Sequence, residues 1–122
     1  MPFDSINIES ELTSNLRKAW SLIDSPEKWT RLTLYRYRNN QKKFCSVGAI
    51  NEVCGYNQKR AGSVAMVKAL YDAIPADIIA DFSPTLSTRD KVMRYNDDYN
   101  SWHTLQGWWQ KAIEQSIAND LK

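Results

Sequence analysis

The chain has little of what small hydrolases, nucleotide-binding proteins and metal sites need. Its 122 residues include one histidine, two cysteines and four glycines. There is no G-x-x-x-x-G-K-[ST] loop and no G-x-G-x-x-G turn, so neither route to cradling a phosphate is present. Cys45 and Cys54 lie about 13 Å apart along the axis of one continuous helix and nearly half a turn around it, out of reach of a disulfide. Their spacing does not suit a zinc knuckle, and His103 alone cannot complete a tetrahedral set. No metal and no cofactor is expected. No apolar run reaches the roughly 18 residues that a spanning helix requires, so no membrane association is expected. Met1 to Glu11 carries Asp4, Glu9 and Glu11 without an apolar stretch, unlike a signal peptide. Two thiols without an export signal point to a reducing, cytoplasmic setting.

What is present is the balance of a globular chain. Hydrophobic residues make up 43% and charged residues 25%, a mixture that can bury a core. The length suits one domain over residues 1–122. Five Trp and six Tyr are a heavy aromatic load, and each buried ring removes a large area from water. The net charge is only +2, but it is unevenly spread. Lys28, Arg31, Arg36, Arg38, Lys42 and Lys43 fall in one stretch with no acid between them.

Apolar residues recur at helical spacing in three long segments. The first is 8–24, capped by Asn7, with Leu12, Leu16, Ala19, Trp20 and Ile23 on one face. The second is 58–74, capped by Asn57, with Ala61, Val64, Val67, Leu70, Tyr71 and Ile74 inward. The third is 102–121, capped by Ser101. At about 100° per residue, Leu105, Trp109, Ala112, Ile113 and Ile117 gather on one side of that helix, with Leu121 also expected inward at its end. Trp102 and Trp108 diverge toward its flanks and are expected to be more exposed.

Shorter signals fill the gaps. Ser25-Pro26-Glu27 reads as a fresh helix start, and Ser87-Thr88-Arg89-Asp90 as a capping box with Asp in place of Glu. Leu32 to Arg38 is the strand candidate, with Asn39-Asn40 as a turn and Lys42-Lys43-Phe44 returning. Residues 45–54 form a compact helix closed at Gly55, with Tyr56 folding back onto Ile50. Ile78, Ile79 and Phe82 make one buried turn. Asn96 to Asn100 is a loop by composition. The prediction is an all-α or mostly α compact bundle of four to six helices, with at most a small β-hairpin near 32–44.

Two segments together carry a likeness. Phe44-Cys45-Ser46-Val47-Gly48-Ala49-Ile50 resembles the F/W-C-x-x-G-A-L/I signature of an uncharacterised family of small bacterial and phage proteins. Tyr95-Asn96-Asp97, followed by Thr104 and the helix holding Trp109, Ala112 and Ile113, is similar to that family's W/Y-N-D loop and closing helix. Tyr95 stands where Trp is common. The family has no assigned activity, so the resemblance implies a fold: a helical domain with the C-x-x-G-A helix packed centrally. The Asn-Asp pair would shape the turn before the last helix.

Three functions compete for these residues. A protein-interaction module, of the kind phages and mobile elements direct at a host or viral protein, would use the aromatic surplus, with Trp102 and Trp108 as contacts. A nucleic-acid binder would use the basic stretch, in which Lys28, Arg31, Arg36, Arg38, Lys42 and Lys43 interleave with Trp29, Tyr35 and Tyr37. The competing structural role for that stretch has Tyr35 and Tyr37 packed on the helices, with Arg36 and Arg38 in water. A cysteine hydrolase would need Cys45, His103 and Asp97 to converge. For Cys45, a buried place beside Gly48 and Ala49, on a face that lets another helix approach closely, is the expectation.

Overall fold

The computed structural model describes residues 9–122. Among these are six helices and one antiparallel hairpin: α1 (Glu11–Ser21), β1 (Tyr35–Arg38), β2 (Gln41–Phe44), α2 (Ser46–Cys54), α3 (Ala61–Asp72), α4 (Ala76–Asp81), α5 (Thr88–Arg94) and α6 (Trp102–Asp120). A single π-helical stretch, Tyr95–Tyr99, links α5 to the last loop. The mostly α bundle with one small hairpin is therefore the observed architecture. No helix among the described residues is long and apolar enough to cross a membrane.

Local chemistry sets the ends of several elements. Ser10 caps α1 by accepting the Thr13 N–H at 3.1 Å. Asn7 and Ile8, expected at this helix start, lie outside the described residues. Ser87 caps α5 through the Asp90 N–H, and Ser101 with Thr104 forms a capping box on α6. Asn39 and Asn40 both take positive φ, 52° and 64°, joining Arg38 to Gln41 in a two-residue turn that suits a twisted hairpin.

The core is shared by α1, α2, α3, α5 and α6. Trp109, Leu16, Ile23, Ile50, Met66, Leu70 and Leu105 are its largest fully buried side chains. α2 sits at its centre, with Val47, Ala49 and Ile50 closed to solvent. Gly48 is required there for an unexpected reason. A Cβ at this position would stand 1.8 Å from the Leu34 carbonyl oxygen, so it is the strand-leading loop, not another helix, that approaches the small-residue face. The ends of the bundle are tied by Asp120, which accepts the Thr13 hydroxyl at 2.7 Å and the Ser10 N–H at 3.1 Å.

Several expectations are corrected. Ser25 begins one turn rather than a helix, because the chain must run extended to pair Thr30 N–H with the Phe44 carbonyl at 2.9 Å. The strand is four residues long, since the Leu34 carbonyl is used by the Cys45 N–H instead of a ladder. Tyr56 is 59% exposed and reaches Glu52, not Ile50. α3 starts at Ala61, after an Asx turn at Asn57, and its inner face is Ser63, Met66, Val67 and Leu70, with Val64 outside. Met66, Val67 and Leu70, continued by Ala73 and Ile74, make the apolar stripe that meets the core, and this stripe turns Val64 toward solvent. Ile78 and Ile79 are only half-buried, while Phe82 is buried.

The largest correction is Trp108. It is 4% exposed, donates its indole N–H to the Leu70 carbonyl at 2.9 Å, and meets Tyr95 edge to face with ring centroids 4.8 Å apart. α3 and the π stretch cover this flank of α6, so the helix buries a wider arc than one stripe. At its far end the arc runs out, and Leu121 is exposed.

Candidate functional site

Two clusters of chemically able side chains lie next to each other. The first is a buried polar knot centred on Asn96. Its Oδ1 accepts the Trp29 indole N–H at 2.9 Å, the Ser46 N–H at 3.1 Å and the Ser46 hydroxyl at 2.7 Å. Its Nδ2 donates to the Asp97 carboxylate at 2.9 Å and, more weakly, to the Thr30 carbonyl at 3.4 Å. Ser46 in turn accepts the Trp109 indole N–H at 3.0 Å. Asn96 and Ser46 are fully buried, and every polar side-chain atom of the pair has a partner. The residues expected to form a loop here instead follow the π stretch. Asn100 Nδ2 closes it on the Tyr95 carbonyl at 2.9 Å, and Asn96 is carried into the core.

The knot fixes the loop that leads into β1. Asp97 Oδ1 accepts the Leu32 N–H at 3.0 Å, and the Asp97 carbonyl accepts Arg31 at 3.4 Å. Leu32 is held at φ 70°, a left-handed conformation that is unusual for a leucine, with its side chain 77% exposed. A shallow cleft of about 270 Å³ opens beside it, lined by Trp29, Thr30, Arg31, Leu32 and Arg36.

The second cluster is the hairpin. Its register pairs Tyr35 with Phe44, Arg36 with Lys43, Tyr37 with Lys42 and Arg38 with Gln41. One face therefore carries Tyr35, Tyr37, Lys42 and Phe44, and the other carries Arg36, Arg38 and Lys43. Tyr35 and Tyr37 are exposed and do not pack on the helices. Lys42 lies over the Tyr35 ring, 4.5 Å from its centroid, and pairs with Glu52 at 3.4 Å. Lys28 pairs with Asp24. Arg36, Arg38 and Lys43 make no ion pair among the described residues. Thus the stretch 28–43 is divided between the two faces of the hairpin and the loop before it, Lys28 and Lys42 are paired with acids, and the Trp29 N–H is used inside.

The remaining candidates are elsewhere or occupied. Cys45 is 2% exposed and serves as the N-cap of α2, its sulfur accepting the Gly48 N–H at 3.3 Å. Burial pushes its thiol up to about 11, outweighing the Gly48 and Val47 N–H groups that favour the thiolate. That environment is the reverse of an activated nucleophile's. His103 is exposed on the first turn of α6, and no hydrogen bond joins it to Cys45 or Asp97 among the described residues. Trp102 is half-buried, its ring stacked on Trp20 at 5.9 Å and 2°. Trp108 is closed to any partner. Among the described residues no three His, Cys, Asp or Glu side chains converge as a metal set.

Two residues of the site were not singled out by sequence. Leu32 looked like an ordinary strand residue, and nothing local marks its positive φ. Ser46 looked like the spacer of a helix signature. Only the Asn96-Asp97 pair carried a readable signal, and its reach to Trp29 and Leu32 spans more than sixty residues of chain.

No curated protein and no solved structure matches the chain. Residues 9–113 match the family described as Family of unknown function (DUF6197), a span that contains both the 44–50 helix start and the Asn96-Asp97 pair. With the greater part of its length inside that match, the chain belongs to this family of unknown function.

Proposed function

We propose that this chain is a small non-catalytic protein-interaction module whose recognition surface is the 29–34 loop and the hairpin. Leu32 carries this reading. An apolar side chain held out in water on left-handed backbone gains nothing for the isolated domain, and the strain is sustained by the Asp97 contact. A rigid, pre-set anchor loses little entropy on binding. Arg36 lines the same cleft, and exposed Tyr35, Tyr37 and Arg38 continue from it along the hairpin with the residue types that carry interface energy. The cytoplasm is the proposed setting, and an accessory role for a phage or mobile element, directed at a host or viral protein, is the context that the sequence resemblance implies.

Nucleic acid is the competing partner for the same surface. Base stacking needs a free aromatic face, and Lys42 covers one face of Tyr35. The small total charge also gives a weak long-range field. The test compares wild type with Leu32→Gly. Glycine accepts the positive φ, so thermal stability should be unchanged or raised, by up to about 1 kcal/mol. Capture of a discrete protein from nuclease-treated lysate of the source cells should be lost with the side chain. A salt-sensitive shift of mixed DNA or RNA by the pure protein, with no protein retained, would overturn the proposal.

A further inference from the structure

We infer that the partner supplies an extended acidic segment that adds as a third strand to the open edge of β1. This rests on the interaction role proposed above and names the chemistry of the partner. The backbone gives the first observation. Phe44 turns its N–H to the Lys28 carbonyl at 2.8 Å and its carbonyl to the Thr30 N–H at 2.9 Å, both away from β1. Tyr35–Phe44 is therefore a non-hydrogen-bonded pair and Arg36–Lys43 a hydrogen-bonded one. It follows that Tyr35 and Tyr37 aim their backbone N–H and carbonyl groups at the outer edge. Residues 28–30 cover the β2 edge at Phe44, but among the described residues no element covers β1. Among the described residues, the Tyr37 backbone groups have no partner, and the Tyr35 carbonyl meets only the Thr33 hydroxyl.

Side chains give the second observation, and it fixes the sign of the partner. Arg36 sits directly opposite Lys43, with Arg38 one step along the same face. Like charges placed opposite each other weaken a hairpin, and these three have no ion pair among the described residues. Glu27 lies within electrostatic reach of Lys43 without pairing with it. An incoming strand bonded to Tyr35 and Tyr37 would place two residues, spaced two apart, opposite Arg36 and Arg38. Carboxylates at those positions neutralise the face, while the intervening residues meet Tyr35 and Tyr37 on the other side. A second copy of this chain is a poor occupant, because its own β1 edge brings Arg36 and Arg38 against their like.

The probe is a labelled, end-blocked hexapeptide of alternating pattern, Ser-Glu-Val-Glu-Val-Ser, read by fluorescence anisotropy on the whole chain. Two controls are Ser-Val-Glu-Glu-Val-Ser, of the same composition, and the alternating peptide with both Val amides N-methylated. Expected is saturable binding of the alternating peptide, about tenfold weaker binding of each control, and a further loss of about tenfold or more with Arg36→Glu or Arg38→Glu. Slowed hydrogen exchange at the Tyr37 amide on binding would support the same geometry. Equal binding of all three peptides would overturn strand addition in favour of simple charge attraction. No peptide binding, with Leu32→Gly still abolishing protein capture, would overturn strand addition while leaving the interaction role intact. Binding of a single-stranded oligonucleotide in place of the peptides would overturn both.

Discussion

The Asn96 knot and the hairpin are neighbours joined by residues 29–34, yet they treat polar groups in opposite ways. In the knot, one amide, one hydroxyl and two indole N–H groups pair with one another, and the Asp97 carboxylate and Thr30 carbonyl take the remaining amide donor. In the hairpin, three cations share a face without an ion pair among the described residues. The reason is dielectric. A buried polar atom without a partner costs about 1–3 kcal/mol, so the interior tolerates almost none. An exposed cation keeps its hydration, and a like-charged neighbour costs only tenths of a kcal/mol. Full pairing therefore marks what holds the fold, while unmatched exposed charge is compatible with the isolated fold and is the feature that the proposed partner would complement.

That contrast breaks most sharply at the tryptophans of α6. Trp109→Ala removes a fully buried ring and the donor to Ser46, and should cost about 3–5 kcal/mol in chemical denaturation. Trp108→Ala should approach the same cost. Trp102→Ala, stacked on Trp20 and half-exposed, should cost clearly less. Equal losses at Trp102 and Trp109 would mean that the knot side of the helix is not the packed one.

Asn96→Leu tests the knot itself. It keeps most of the volume but leaves the Trp29 indole, the Ser46 N–H and the Ser46 hydroxyl without their acceptor. The expected loss is about 3 kcal/mol, with the Leu32 loop loosened and its amides exchanging faster. Unchanged exchange at Leu32 would show that the knot does not position the 29–34 loop.

Cys45 sharpens the comparison through pH. Its thiol, near 9.0 when unperturbed, is pushed up to about 11 by burial in the fold. The folded state then holds its proton where the unfolded state loses it. This contribution is complete below about pH 9 and is lost as pH rises toward 11, a swing of about 2–3 kcal/mol. Cys45→Ala should flatten that part of the alkaline decline in melting temperature. Labelling of Cys45 by a thiol reagent in native protein at neutral pH should be slow. Fast labelling would restore the hydrolase as a contender.

The smallest effect belongs to the hairpin. Lys43→Glu turns a like-charged cross-strand pair into an opposite one and should stabilise by about 0.5 kcal/mol. A loss of stability instead would show that the cationic face already serves the isolated fold.

Much of this was legible locally. Ser87 and Ser101 cap their helices as their motifs require, Asn39-Asn40 turns the hairpin, and Trp109 and Cys45 are buried as their spacing predicts. These depend on periodicity and on short-range hydrogen bonds, which a sequence states directly. The rotation of α3 and the burial of Trp108 were not legible, because each is set by which neighbour comes closest. A helix face gains its partner from elements far along the chain.

The sequence by itself determined a helical bundle and a basic aromatic hairpin, and its family resemblance drew attention to an Asn-Asp pair before the last helix. Only the tertiary structure decided what that pair does. It reaches back more than sixty residues to seat Trp29 and hold Leu32 at φ 70° in solvent. No local propensity places a leucine there. The conformation exists because the Asp97 carboxylate waits at the right distance, and that distance is a property of the packed bundle.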